Sequence, residues 1–243
     1  MSIELSETVM TLSIFVGAVV SGFAGFAFSA VAGAVLLHML PPSEAVPFMM
    51  ICSLLLQIGS MVSLRRRIQW RDSRMLILGG LVGLPPALYL LQRVDATSFR
   101  IGFGIFLTAY AGYMLARPAL RRLWNIQGPL YDAGVGLAGG LLGGLTAMPS
   151  AMPTIWCDLR GVAKDRQRGI VQPYIATMQV AALAFLAMQD GLPEALVAHV
   201  LSSLVPLAAG AFVGLALFGK VNDQLFRRAV LCVLLVSGVV FFA

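Results

Sequence analysis

Residues 8–43 carry no Asp, Glu, Lys or Arg, an uninterrupted run of 36 residues. As one α-helix this run would be about 54 Å long, well beyond a bilayer hydrocarbon core of about 30 Å. It must fold back on itself, and a break is written at Gly22-Phe23-Ala24-Gly25, leaving two arms of about 15 residues each, short for a full crossing. A second stretch, 128–157, reads the same way, with breaks expected at Gly139-Gly140-Leu141-Leu142-Gly143-Gly144 and again near Pro149 and Pro153. The other charge-free blocks predict ordinary spans at about 45–63, 75–92, 100–116, 169–189, 195–217 and 227–243. With 59% hydrophobic and 12% charged residues in 243, against roughly 45–50% and 25% for soluble domains, the chain reads as an all-α, polytopic integral membrane protein. No length is left for an extramembrane catalytic domain.

The cations give the sidedness. Of 17 Lys and Arg, 15 lie in the loops around 64–74, 117–125, 158–168 and 218–228, and two, Arg93 and Arg100, lie in the 92–100 loop. The positive-inside rule makes the four basic loops cytoplasmic and puts the N-terminus outside. The net charge of +6 therefore belongs to membrane topology, and a nucleic-acid partner is excluded for want of a folded basic face. The segment MSIELSE has no basic n-region, so it is not expected to be a cleaved signal peptide. Cys52, Cys157 and Cys232 are odd in number and lie in or beside apolar segments, which predicts buried thiols rather than disulfides.

The halves repeat. Gly22-x-x-Gly25 superposes on Gly140-x-x-Gly143 at an offset of 118, Pro47 on Pro173 at 126, and Arg93-Val94-Asp95 with Phe99-Arg100 on Lys220-Val221-Asn222 with Phe226-Arg227 at 127. Five segments per half is odd, so the repeats, 7–117 and 128–243 of a single membrane domain 1–243, are expected to be inverted. Each would be a glycine-broken hairpin followed by three transmembrane helices, an arrangement that belongs to secondary transporters. On this reading Arg93 and Arg100, the two exceptions to the rule, are the repeat partners of Lys220 and Arg227, inherited with the repeat rather than selected for side.

Where a broken segment restarts as a helix at membrane depth, free backbone N–H groups and the positive helix end attract a small anion. The candidate substrate contacts are Gly22, Gly25, Phe26 and Ser29 at the first break and Gly143, Gly144, Thr146 and Ser150 at the second. Gln57 and Gln179 join them from the spans that follow, where a polar amide needs a partner. Each residue also has a structural reading: Gly-x-x-Gly permits close helix packing, and an intramembrane glutamine can bond a neighbouring helix. His38 and His199 are candidate proton relays or hydrogen-bonded structural residues. Asp132 is the sole acid beside an apolar segment in this reading, so coupling through a buried carboxylate is not expected. Without a His, Asp or Glu cluster at helical spacing or a P-loop, no metal, cofactor or ATP is expected, and the chain reads as a non-enzyme.

SGFAGFAFSAV at 21–31, LPPSEAVPFM at 40–49, GLAGGLLGGLTAMPSAMP at 136–153 and the span after Gln172-Pro173 together resemble the TauE/SafE family of sulfite exporters and organosulfur anion permeases, across about 10–243. The resemblance implies a multi-pass bacterial inner-membrane permease. Its partners would be membrane lipid and a small anion such as sulfite or a sulfonate, held at mid-membrane between the two hairpin helix N-termini, moved by alternating access and exported. In this sequence Phe26 and Phe28 interrupt the family's longer glycine run, and Ala34 stands where its proline is expected, which makes the first half-site tighter and more apolar. A passive anion channel is the alternative within transport. An intramembrane enzyme acting on a sulfur compound or lipid is the alternative outside it. Substrate, coupling ion and oligomeric state are not set by the sequence.

Overall fold

A computed structural model describes residues 3–24, 27–64, 68–120, 128–189, 194–218 and 235. Among them the chain is helical and contains no strand: α1 (Ile3–Ala24), α2 (Phe28–Met39), α3 (Pro42–Leu64), α4 (Trp70–Leu91), α5 (Ala96–Leu120), α6 (Pro129–Thr146), α7 (Ala151–Leu159), α8 (Lys164–Gln189) and α9 (Glu194–Phe218). Three described segments are long and apolar enough to cross a membrane, Trp70–Leu91, Arg166–Gln189 and Ala195–Leu217, and three shorter helices are also apolar. Large apolar side chains such as Val82 on α4 and Val205 and Phe212 on α9 are exposed, as lipid-facing residues are. The protein is a multi-pass membrane protein. The expected span at 227–243 and the repeat partners Lys220 to Arg227 lie outside the described residues.

The helix ends follow local chemistry. Pro129 opens α6 at a position where a missing N–H costs nothing, and Pro41 and Pro42 stop α2 and start α3. Asp95 caps α5 by accepting the Ser98 N–H at 2.8 Å. Its carboxyl is held below the usual range first by that backbone bond and then by the Ser98 hydroxyl. Arg100 donates from Nε to the Leu37 carbonyl at 2.8 Å, supplying a cation to the C-terminal turn of α2. This bond gives Arg100 a physical reason to stand in its loop beyond its descent from a repeat.

The hairpins are folded, but with unequal arms. α1 has 22 residues and α2 has 12, while α6 has 18 and α7 has nine. At ~1.5 Å per residue α2 and α7 reach only about 18 and 13 Å, too short to cross alone. The equal arms read from the sequence are thereby corrected. Of the breaks expected in the second hairpin, the one at Gly139–Gly144 is not made, because α6 runs unbroken through Gly139, Gly140, Gly143 and Gly144, whereas the chain does turn between Thr146 and Ala151, at the break expected near Pro149. Those glycines serve packing instead of breaking the helix.

The chain packs as two compact units, each drawing helices from both halves of the sequence. One comprises Met1–Leu56, Val94–Leu115 and Leu192–Ala243; the other Gln57–Arg93 and Ala116–Gly191. In the first, α1 lies along α9 and against α2; in the second, α4 lies along α6 and α8, and α7 against α6 and α8. Both long contacts are made backbone to backbone through glycine. A Cβ on Gly79, Gly83 or Gly140 would strike the carbonyl oxygen of Ala133, Leu137 or Gly80 respectively. In the other unit, a Cβ on Gly210, Gly214 or Gly22 would strike that of Phe15, Val19 or Ala211. Adding 131 to the α4 positions and subtracting 118 from the α6 positions converts each contact of one set into the corresponding contact of the other. The 118 is the offset of the glycine motifs. The 131 differs by four residues, about one helical turn, from the 127 of the Arg93–Arg100 match, so the packed register of α9 lies one turn further on.

A proline fixes α8 to α4. Pro173 lies inside α8 and cannot donate to the Gly169 carbonyl, which instead accepts the Gln69 N–H at 2.9 Å. Ser73, fully buried, donates to the neighbouring Ile170 carbonyl at 2.7 Å.

Candidate functional site

The two hairpin turns are built around alanines in the left-handed region. Ala27, φ 89°, directly precedes α2, and its carbonyl accepts the N–H groups of Ala30 and Val31. Ala147, φ 56°, directly follows α6 and donates its N–H to the Gly143 carbonyl at 2.9 Å. An L-residue in this region costs roughly 1–2 kcal/mol, and both turns hold one in buried surroundings.

In the second turn, Thr146 donates to the Leu142 carbonyl at 2.7 Å and accepts the Met148 N–H at 3.3 Å. Its hydroxyl stitches the end of α6 to the turn. Gly143 lies under Pro149, and Gly144 against the Ala87 methyl of α4, so both are packing positions. Ser150, 4% exposed, is the N-cap of α7 without a side-chain capping bond. Among the described residues, neither the Ser150 nor the Met152 N–H has a backbone acceptor, and Pro153 has no N–H. The start of α7 thus offers two backbone donors, one hydroxyl and the positive end of a nine-residue helix.

Gln179 on α8 belongs to the same unit. It is 1% exposed, and among the described residues neither Nε2 nor Oε1 has a hydrogen-bond partner. A buried amide with both ends unmet costs free energy in the ground state, which calls for a ligand or water to meet it. Five residues earlier, Tyr174 is fully buried; its hydroxyl donates to the Gly136 carbonyl, and a Cβ on Gly139 would strike that hydroxyl and crowd Pro149 of the turn and Pro153 of α7. Tyr174 therefore ties α8 to the hairpin. Gly143, Gly144, Thr146, Ser150 and Gln179 share this unit.

Of the remaining predicted residues, Gln57 falls in the same unit and Gly22 and Ser29 in the other. Gly22 packs on α9, and Ser29 is buried in the first turn of α2, both in the first unit. Gln57 is buried in α3, where that helix passes into the second unit. Gly25 and Phe26 lie outside the described residues. His38 places Nδ1 2.9 Å from the Ala34 carbonyl of its own helix, and His199 packs its ring 5.9 Å from that of Phe48. An open groove of about 590 Å³ lined by Glu7, Thr8, Thr11, Leu12, Phe15 and Pro206 contains no turn residue and presents a carboxylate, which disfavours an anion.

One acid was misplaced by the sequence reading. Asp158, assigned to the cytoplasmic loop, lies in the last turn of α7 and is 6% exposed. The described part of the membrane domain therefore contains a buried carboxylate, because the helix continues past the end of the charge-free run. Beside it, Asp132 of α6 accepts the Trp156 indole N–H at 2.7 Å and a bond from Arg160 at 3.1 Å, closing the foot of the hairpin.

With the geometry in place, comparison decides the family. The sequence profile of the family described as Sulfite exporter TauE/SafE matches residues 10–241. The chain belongs to the TauE/SafE family. No curated protein and no solved structure matches the chain. Membership makes this TauE/SafE protein a membrane transporter of a sulfite-exporter family. It also gives the two hairpins a context that packing alone does not. Tyr174, Ala147 and Asp158 are the features that sequence reasoning missed in this TauE/SafE chain. An intramembrane tyrosine beside Gln172-Pro173 was the available signal for the first, but the left-handed alanines leave none.

Proposed function

We propose that the protein is a secondary permease that carries a small sulfur-containing anion, sulfite or a sulfonate, across the bacterial inner membrane, in the direction of export. The unmet amide of Gln179 carries this reading: a buried donor and acceptor in the unit that holds an uncapped helix start suit an oxyanion that both accepts hydrogen bonds and leaves again. Ser150 and the first N–H groups of α7 bind the charge, and Gln179 donates through Nε2. In this proposal Gly143, Gly144 and Thr146 shape the turn and do not touch the anion. Ser29 and Gln57, with Gly25 and Phe26, supply the corresponding half-site of the first repeat, and Gly22 sets its packing. The inverted repeat, 7–117 and 128–243, is supported by the matched glycine contacts of α4 with α6 and of α9 with α1. Alternating access then exposes the anion to one side and the other, with the basic loops cytoplasmic.

The test is counterflow of labelled sulfite in proteoliposomes. Saturable exchange stimulated by internal sulfite supports a carrier; linear flux without exchange supports a channel. No flux across sulfite, thiosulfate, sulfate, taurine, sulfoacetate and acetate would return the enzyme alternative.

A further inference from the structure

We infer that, of the anions the transport reading above admits, the site takes the protonated monoanion, one negative charge with one O–H: hydrogensulfite, in preference to the sulfite dianion or to a sulfonate without a donor. The inference rests on that reading. The first observation is the Gln179 amide, 1% exposed, with neither Nε2 nor Oε1 partnered among the described residues. A fully deprotonated oxyanion can only accept, so it meets Nε2 and leaves Oε1 buried and unmet. Hydrogensulfite meets both ends, accepting from Nε2 through one oxygen and donating its O–H to Oε1. Because both ends are unmet, the argument holds whichever way the amide is turned.

The amide stands at the level of the hairpin turn. A Cβ on Gly139 would meet the Tyr174 hydroxyl, the Pro149 carbonyl and Pro153, so α8 and the start of α7 converge on that glycine. Met178, the residue before Gln179, would be struck by a Cβ on Gly80, and Gly80 packs on Gly140. Three residues beyond Gly140, Gly143 lies under Pro149. Gln179 is therefore within about one helical turn of the level from which α7 departs, where the Ser150 hydroxyl and the first N–H groups of that helix stand.

The charge around the turn is the second observation. Residues 75–92, 133–157 and 169–189, which supply most of α4, α6, α7 and α8 and the turn itself, contain no Lys, Arg, Asp or Glu. The positive charge at the start of α7 is that of the helix dipole, roughly half an elementary charge, which offsets about half the charge of a monoanion and about a quarter of that of a dianion. The charged groups of the unit stand at the far ends of these helices. Asp132 of α6 is paired with Arg160 and Asp72 of α4 with Arg166, while Cys157 and Asp158 lie in the last turn of α7 and Arg168 near the start of α8. Tyr174 is bonded to Gly136. The proton balance is carried by the substrate: sulfite takes one proton from water on one side, crosses as hydrogensulfite, and returns it to water on the other, so proton and anion cross one for one.

Calorimetric titration of the purified protein with sulfite, selenite, methanesulfonate and sulfate at pH 6 and pH 8 tests this. Methanesulfonate is a monoanion without an O–H, and its charge does not change between the two pH values, so it reports any titration of the protein itself. At pH 6 sulfite should bind about tenfold more tightly than methanesulfonate, the equivalent of the unmet Oε1, and sulfate should bind weakest. From pH 6 to pH 8 sulfite should weaken roughly tenfold as its protonated fraction falls, with methanesulfonate unchanged. Selenite, which gives up its proton at higher pH than sulfite, should keep its affinity further into the alkaline range. In Gln179→Leu, sulfite and methanesulfonate should bind alike at pH 6. Sulfite that binds more tightly at pH 8 than at pH 6 overturns the inference and leaves the carrier reading intact. So does methanesulfonate bound as tightly as sulfite by the wild type, so does selenite that weakens in step with sulfite, and so does a preference for sulfite that persists in Gln179→Leu. Binding of none of the four by the wild type overturns the transport reading and the inference with it.

Discussion

The Tyr174 hydroxyl donates to the Gly136 carbonyl at 2.8 Å, across the contact between α8 and α6. The carbonyl belongs to a helix that passes backbone to backbone against α4, and a Cβ on Gly80 of α4 would come within 2.8 Å of the same tyrosine. One side chain thus pins three helices at the level of the second hairpin. Removing the hydroxyl leaves the ring in place, so Tyr174→Phe is expected to lower stability by about 1 kcal/mol, the typical net value of one hydrogen bond. Thermal unfolding in detergent checks this, and an unchanged midpoint would show that the bond contributes nothing.

The glycine contacts predict a paired result. Gly83→Leu and Gly214→Leu should each prevent assembly of a stable protein, since each drives a side chain into a carbonyl oxygen of the facing helix, Leu137 and Val19 respectively. A Cβ on Gly102 meets nothing within 4 Å, so Gly102→Ala should be tolerated and should gain up to about 1 kcal/mol of helix propensity. Size-exclusion profiles of the three variants separate these outcomes. A monodisperse Gly83→Leu protein would contradict the packing described.

Much of this was legible in the sequence because charge placement and glycine duplication are both long-range patterns that survive without coordinates. The charge-free runs located α3, α4, α5, α8 and α9 to within five residues at each end, and the 118 offset of the glycine motifs is the offset at which α6 maps onto α1 in packing. What escaped was local. Gly139 to Gly144 read as a helix break because glycine lowers helix propensity, yet tertiary contact with α4 and Pro149 keeps α6 intact through all four. Asp158 read as a loop residue because a carboxylate normally ends an apolar segment, and only the continuation of α7 buries it. At the site, Ser150 and Gln179 are buried, and the Thr146 hydroxyl donates within its own helix.

Ala147 gives a stabilising substitution. Glycine adopts φ 56° without a Cβ penalty, so Ala147→Gly exchanges roughly 1–2 kcal/mol of strain for a loss of up to about 1 kcal/mol in chain entropy. The expected outcome is a small net gain in thermal stability. A loss above about 1 kcal/mol would show that the alanine methyl packs in the turn more strongly than its backbone strains it.

Asp95 predicts a weak acid dependence with a defined sign. Its carboxyl titrates lower in the folded protein than the ordinary value of 3.8, because the Ser98 N–H and hydroxyl stabilise the ionised form. The contribution is therefore present in full above pH 3.8 and is lost as pH falls through the lowered folded value. Asp95→Ala should raise amide exchange at Ser98 at pH 6, and the difference from wild type should shrink on acidification through that window. A difference that grows on acidification would reverse the assignment.

The central claim is that a buried, unmet amide and an uncapped helix start hold the transported anion, and sulfite binding to Gln179→Leu tests it most directly. The substitution fills similar volume and removes an unsatisfied donor and acceptor, so the variant should be at least as stable as wild type by thermal unfolding. Calorimetric titration with sulfite should show at least a tenfold loss of affinity, the equivalent of one charge-assisted hydrogen bond. Wild-type affinity in a stable Gln179→Leu protein would contradict the site.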